Sequence, residues 1–338
     1  LDPFVLPPLS ILDLALIGKG QTPGDAFRNS VRTAQLAEHL GYQRVWYAEH
    51  HNMSSIGSSA PAVLIAHVAA HTSTIRLGAG GVMLPNHSPL TIAEQYGTLA
   101  ELHPGRIDLG LGRAPGTDQV TMRALRRTGG EAEHFPSDVV ELQGYLRDDT
   151  RVPSVNATPG RGTNVPLWIL GSSLFGAQLA AALGLPYGFA SHFAPQALEQ
   201  AVAVYRSRFE PSEQQATPYV LAGINVIAAD DETEARNQFA AVRRMRAARM
   251  LRGGTELSDA ELDALLASPQ GAPLADMMRH TAVGTATQVA DHLAAFAASI
   301  DADELMVVHA SPGIDARLRS VELVASAMAV EPGRTPVR

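Results

Sequence analysis

The chain has 338 residues, 46% of them hydrophobic and 18% charged, the balance of a globular protein with a large core. Its formal charge of −8 comes from mixed signs with no basic run or stripe, which argues against nucleic acid as a partner. There is no cysteine, so disulfides, thiolate catalysis and cysteine-bound metal are excluded, and no apolar run approaches the roughly 18 residues of a membrane span.

In chain order, the early stretch PLSILDLALIG is interrupted by Asp13 and lacks a basic flank. It does not read as a signal peptide, and a cytoplasmic location is expected. Short β-branched or Leu-rich runs then alternate with longer amphipathic ones. The spacing predicts a strand at 10–16, a helix at 23–40, a strand at 44–48, a helix at 60–70, a strand at 75–78, a helix at 89–102 and a strand at 107–111. It continues with strands at 167–170 and 187–190, each followed by a helix (175–183, 195–208). A strand at 222–227 with a helix at 232–250 comes next, then a helix at 286–298, a strand at 305–309 and a helix at 314–329. Thr22-Pro23 offers a helix cap followed by a first-turn proline. Eight strands alternating with helices imply a parallel sheet, and runs such as LWIL and LMVVH fit burial on both faces. The expected fold is α/β, an eight-stranded parallel β/α (TIM) barrel forming one domain over 1–338; a doubly wound open sheet is the alternative. Two stretches break the alternation. Residues 147–165 are polar and rich in Pro, Gly and Thr, and residues 251–285 carry two short helical patterns, 259–267 and 273–280. Both are expected as insertions over the C-terminal mouth, as lids or surface decoration.

Active groups of such barrels sit at the C-terminal ends of strands, which gives four stretches meaning. The first is YAEHH, residues 47–51. Side chains alternate along a strand, so Glu49 and His50 point opposite ways, as do His50 and His51. Adjacent histidines make a poor bidentate pair, and no metal site is expected. One imidazole facing the mouth and a carboxylate turned toward the structure fit better; a histidine merely hydrogen-bonded at the rim is the alternative. The second is LGAGGVMLP, residues 77–85, whose glycines allow a bulge or the close approach of a flat ligand. The third is GLGRAPG, residues 110–116. Pro115 stands where a dinucleotide fingerprint needs its last glycine, so that reading is rejected. Arg113 instead offers a cation for a phosphate, or for a loop acid such as Asp118. The fourth is Gly171-Ser172-Ser173 at a helix start, either an anion site or simple serine capping. His67 and His71 stand four apart on a predicted helix, read as a packed face. Asp13 is a candidate to point into the barrel or to be a satisfied buried carboxyl. His192 and His309 line the pocket or sit at its rim.

Together, GYQRVWYAEHH, IRLGAGGVMLPNHSPLTIAEQYGTLAELHPGRIDLGLGRAPG and LWILGSSLFGAQLAAALGLP resemble the bacterial luciferase-like flavin monooxygenase family. The resemblance implies FMN bound at the barrel mouth, reduced and used with dioxygen to oxygenate a small organic substrate such as an aldehyde. It places His50 as the active-site histidine, with Glu49 orienting it or a neighbour. It puts a non-proline cis peptide at Gly80-Gly81 beneath the flavin ring. It assigns the flavin phosphate to Arg113, Ser173 and the backbone near Gly176, with Gly112, Gly171 and Ser172 beside them. A separate flavin reductase and a homodimer through the helices at 60–70 and 89–102 are further implications. The alternatives are a deazaflavin-dependent oxidoreductase, a flavin-binding protein without turnover and a metal-dependent hydrolase.

Overall fold

A computed structural model describes residues 7–250 and 257–328. The start of the expected insert at 251–285 and the last residue of the helix expected at 314–329 lie outside the described residues. The strands are β1 (Leu9–Asp13), β2 (Arg44–Tyr47), β3 (Arg76–Met83), β4 (Ile107–Gly112), β5 (Leu167–Gly171), β6 (Tyr187–Phe189), β7 (Val220–Ala228), β8 (Thr281–Gly284) and β9 (Glu304–His309). The helices are α1 (Pro23–His39), α2 (Pro61–Ala69), α3 (Pro89–Leu102), α4 (Gln119–Ala124), α5 (Phe135–Arg147) and α6 (Leu174–Leu183). They continue with α7 (Leu198–Arg208), α8 (Glu232–Met250), α9 (Asp259–Ala267), α10 (Ala272–Met277), α11 (Ala286–Ile300) and α12 (Ile314–Ala327).

Strands β1 to β7 pair in sequence, β7 pairs with β9, and β9 returns to β1, all in parallel. The eight expected staves therefore close into a β/α barrel. Strand β8 was not expected. It pairs only with the far half of β7, Asn225 to Ala228, while the near half of β7 pairs with β6. It is a wedge at the mouth rather than a ninth stave.

Local chemistry explains the element ends. Thr22 caps α1 in a reciprocal box with Asp25, just before Pro23, as the sequence implied. Gly184, left-handed at φ 61°, ends α6. Apolar residues between staves and helices form the outer core. A second cluster, built on Leu12, Trp46, Trp168, Leu221, Met306 and Val308, fills the barrel. The two tryptophan rings meet edge to face at 5.1 Å.

Below the tryptophans, charge closes the barrel at its N-terminal end. Arg44 Nε and Nη2 donate to the two oxygens of Glu304 (2.8 and 3.0 Å), and Nη1 donates to Asp108 (2.7 Å). Arg76 and Trp46 Nε1 also donate to Asp108; Ser10 and Tyr219 hydroxyls donate to Glu304. Burial alone would raise the Asp108 pKa, but Arg44 and Arg76 hold it below the usual carboxylate range.

The two expected insertions part ways. Residues 148–166 join the end of α5 to the start of β5, so they lie at the face opposite the mouth. Arg147 there reaches Glu213 in the loop before β7 (3.5 Å). A helix-to-strand connection in a β/α barrel always returns to that face, which removes this segment as a lid. The described residues between β7 and α11 do lie beyond the mouth end of β7. They pack their own cluster, including Ile227, Val242, Leu262, Leu266, Leu274 and Met278. No helix among the described residues is long and apolar enough to cross a membrane.

Candidate functional site

The mouth ends of β2 through β7 bring the sequence candidates onto neighbouring staves. After β2, His50 follows the inward-facing Trp46 and Ala48, whereas Glu49 turns outward. The alternation anticipated from the sequence therefore holds. Glu49 does not orient His50. His51 Nε2 and His87 Nε2 each lie 2.9 Å from Glu49 Oε1, the Met83 N–H donates to Oε2 (3.0 Å), and Asn86 Nδ2 donates to Oε1 (3.3 Å). Burial opposes the charge of Glu49, but the hydrogen bonds from His51 and His87 prevail and hold its pKa at about 2. Asn86 Nδ2 also donates to the Pro115 carbonyl (2.9 Å). Glu49 thus ties β2, the turn after β3 and the loop after β4 together behind the mouth. Of the residues that carry this hub, His51 was named in the sequence only as the neighbour of His50, and His87 and Asn86 were not singled out.

His50 is fixed through its backbone, whose N–H donates to Ser58 O (2.9 Å). Its Nδ1 is buried with no hydrogen-bond partner. Burial lowers its pKa; the neighbouring Glu49 charge opposes the shift and His51 adds to it. A neutral imidazole with an open ring nitrogen is the result at neutral pH.

On β3 the Gly80–Gly81 peptide is cis, the geometry the resemblance implied. Register with β4 shifts between Ala79 and Val82, a bulge. A Cβ on Gly81 would sit 2.7 Å from the Gly110 carbonyl oxygen, and one on Gly80 would sit 2.9 Å from Leu12 Cδ1. At Gly81, where the obstacle is backbone, only glycine permits this approach of chain to chain.

Arg113 leaves β4 exposed, and its guanidinium carbon lies 4.1 Å from the centroid of the Phe175 ring. That stacking holds the cation beside the start of α6, next to Ser172 and Ser173. Ser173 occupies the N-cap position, yet its side chain caps nothing. Simple serine capping is thereby set aside, and the first-turn N–H groups of α6 keep their positive end. Gly171 and Gly176 face Tyr187, whose hydroxyl donates to the Ser173 carbonyl (3.0 Å). Gly112 sits at the end of β4, buried against Met83.

The weaker candidates separate. His192 faces the mouth over Gly223 of β7, where a Cβ would meet its Nδ1 at 2.3 Å. That Nδ1 is buried without a partner. His309 faces away, with Nδ1 2.9 Å from Ser320 Oγ. Asp13 accepts from the Ala15 N–H (2.8 Å), the satisfied carboxyl rather than a group inside the barrel. His67 on α2 and His71 just beyond its end are exposed instead of packed, their rings 4.6 Å apart. Among the described residues, no group of three or more His, Cys, Asp or Glu side chains is placed to hold a metal ion.

Burial of His309 has a consequence for stability. It pushes the pKa from 6.5 to about 3, with Arg317 adding to the shift. The unfolded chain takes up this proton near 6.5 and the folded chain does not, so stability is full above 6.5 and falls as pH drops toward 3. The slope is about 1.4 kcal/mol per pH unit. Between pH 7 and pH 5 this one group should cost about 2 kcal/mol. Urea unfolding at the two pH values should show His309→Gln losing less than the parent by about that amount; parallel losses would contradict it.

A family model described as luciferase-like monooxygenase matches residues 8–303. An Escherichia coli (strain K12) protein named luciferase-like monooxygenase is 48% identical over 318 residues, covering 93% of this chain and 95% of its own. The crystal structure of apo-MsnO8 superposes with a TM-score of 0.87 at 35% identity, covering 96% of this chain and 99% of the other. The oxygenating constituent of 3,6-diketocamphane monooxygenase from Pseudomonas putida, a type II Baeyer–Villiger monooxygenase solved with FMN, shares the fold. Its TM-score is 0.72 at 16% identity, over 96% of this chain and 98% of that one. Fold, motifs and these likenesses agree: the chain belongs to the luciferase-like monooxygenase family.

Proposed function

We propose that the chain is an FMN-dependent monooxygenase that uses reduced flavin and dioxygen to oxygenate a small organic substrate. The observation that carries this reading is Arg113, stacked on Phe175 beside the uncapped start of α6. It stands on staves adjoining a glycine wall at Gly80–Gly81 and an imidazole with an open nitrogen. A cation and free amides suit a phosphate; a wall without side chains suits a flat ring. The residues fit the flavin in both respects. That a related fold was solved with FMN supports the same choice.

Arg113, the Ser172 and Ser173 hydroxyls and the first-turn N–H groups of α6 would hold the phosphate, with Gly112, Gly171 and Gly176 leaving room for it. Gly80 and Gly81 would support the ring. When bound and reduced, the flavin supplies electrons to dioxygen. His50 holds or moves a proton at Nδ1, which burial keeps available as an acceptor at neutral pH. Trp46 and Trp168 floor the pocket with apolar surface that excludes water. The sequence has no intact nicotinamide fingerprint, so the reading includes a separate reductase as the source of reduced FMN.

Two titrations test it. FMN should bind at least tenfold more tightly than riboflavin, which lacks the phosphate, because charge-assisted hydrogen bonds contribute about 1.5–3 kcal/mol. Arg113→Ala should remove most of that difference and leave riboflavin affinity unchanged. Equal affinity for the two ligands in the parent protein would contradict the reading. A deazaflavin cofactor bound more tightly than FMN would move the chain to the other branch.

A further inference from the structure

Across the mouth from Arg113, the insertion after β7 turns one arginine inward. Arg246 lies on α8 and is half-buried. Among the described residues its guanidinium forms no salt bridge; its hydrogen bond is from Nη2 to Asn225 Oδ1 (3.2 Å). Arg44 and Arg76, by contrast, are neutralised by Asp108 and Glu304. Asn225 is fully buried on β7, and its Nδ2 donates to the His192 carbonyl (2.6 Å). Asn225 therefore holds Arg246 and His192 side by side. The His192 ring lies against Gly223 with Nδ1 unpartnered, and His50 brings a second unpartnered Nδ1 to the same mouth.

A guanidinium has five N–H donors in a planar fork. Holding such a group half-buried without an anion is unfavourable, and among the described residues the arrangement lacks its counter-charge. Burial and the neighbouring Arg249 both disfavour the charged form of Arg246, which an incoming anion would relieve. Arg249 is exposed and donates to Met245 Sδ (3.3 Å), so the guanidinium held by Asn225 is the one beside the neutral imidazoles, and it balances one negative charge. A dianionic phosphate would be half-compensated, and its place is already proposed on β4 and α6.

We propose that Arg246, positioned by Asn225 beside His192, is the recognition site for a single negative charge, a carboxylate or sulfonate, on a small organic substrate. The planar fork suits two parallel hydrogen bonds to such an oxyanion. The inference rests on the flavin monooxygenase reading for what is done to the substrate, and makes the substrate a small organic acid.

The test is calorimetric titration of the purified protein, with and without FMN, using hexanoate, hexane-1-sulfonate and hexanamide as probes. At least one acid should bind tenfold or more tightly than the neutral amide, and the stronger acid identifies the oxyanion. Arg246→Met should abolish that preference while leaving amide binding and FMN affinity within about twofold. Arg246→Lys, which keeps the charge without the fork, should retain part of it. Absence of any acid preference in the parent, or its full retention in Arg246→Met, overturns the inference. Failure of the parent to bind FMN strikes the functional reading instead, because the acid preference is also read without flavin.

Discussion

Glu304→Ala should lower the unfolding free energy by about 3–5 kcal/mol, a large part of the margin of a typical domain. The reason is what the change leaves behind. Arg44 and Arg76 carry two positive charges at the closed end of the barrel, balanced by Asp108 and Glu304. The Glu304 side chain has no solvent exposure and that of Arg44 has 6%. Removing the carboxylate strands one positive charge among Trp46, Trp168 and Tyr219, and also unpairs the Ser10 and Tyr219 hydroxyls. Arg44→Met combined with Glu304→Leu restores neutrality and should recover most of the loss, because apolar groups often replace a buried pair at little cost. Denaturant midpoints of the parent, single and double variants decide the matter. A single-variant loss under about 1 kcal/mol would show the network to be wet or dispensable.

His50→Ala should slow substrate oxygenation by roughly 10²-fold or more, the usual contribution of a positioned acid or base. FMN affinity should change by less than about threefold, because the phosphate grip proposed for it is on β4 and α6 rather than on β2. Stability should change little: the imidazole makes no side-chain hydrogen bond that the variant would break. His50→Gln keeps a polar group without proton transfer and should be nearly as slow. Glu49→Gln serves as contrast. It loosens His51, His87 and the turn after β3, so it should cost stability as well as rate. Stopped-flow oxygen consumption with pre-reduced FMN separates these effects. A His50→Ala enzyme at the full oxygenation rate would remove this histidine from the chemistry.

Much of the barrel was legible because its signals are local. Staves such as LWIL and LMVVH are continuous apolar runs, and alternation alone placed His50 and Glu49 on opposite faces of β2. Strand β8 was illegible for the same reason: TAVG is four residues long and pairs only with the far half of β7. The segment at 147–165 was misplaced although connectivity fixes its face, since composition says nothing about which end of a barrel a loop crosses. Glu49 was read as orienting His50 or a neighbour; it pairs with the neighbour His51, and its second imidazole, His87, lies 38 positions away where only folding brings the two together. Arg246 sits in RRMRAARM, where no pattern marks which arginine turns inward. Arg113 was legible because a strand end and a helix start on adjacent staves must meet.

The most direct test is a crystal structure of the protein with FMN bound. The phosphate should lie within hydrogen-bond distance of Arg113 and the first turn of α6, and the ring against Gly80–Gly81 on the side of His50. A flavin seated elsewhere, or Arg113 turned to solvent with the nucleotide present, would contradict this placement.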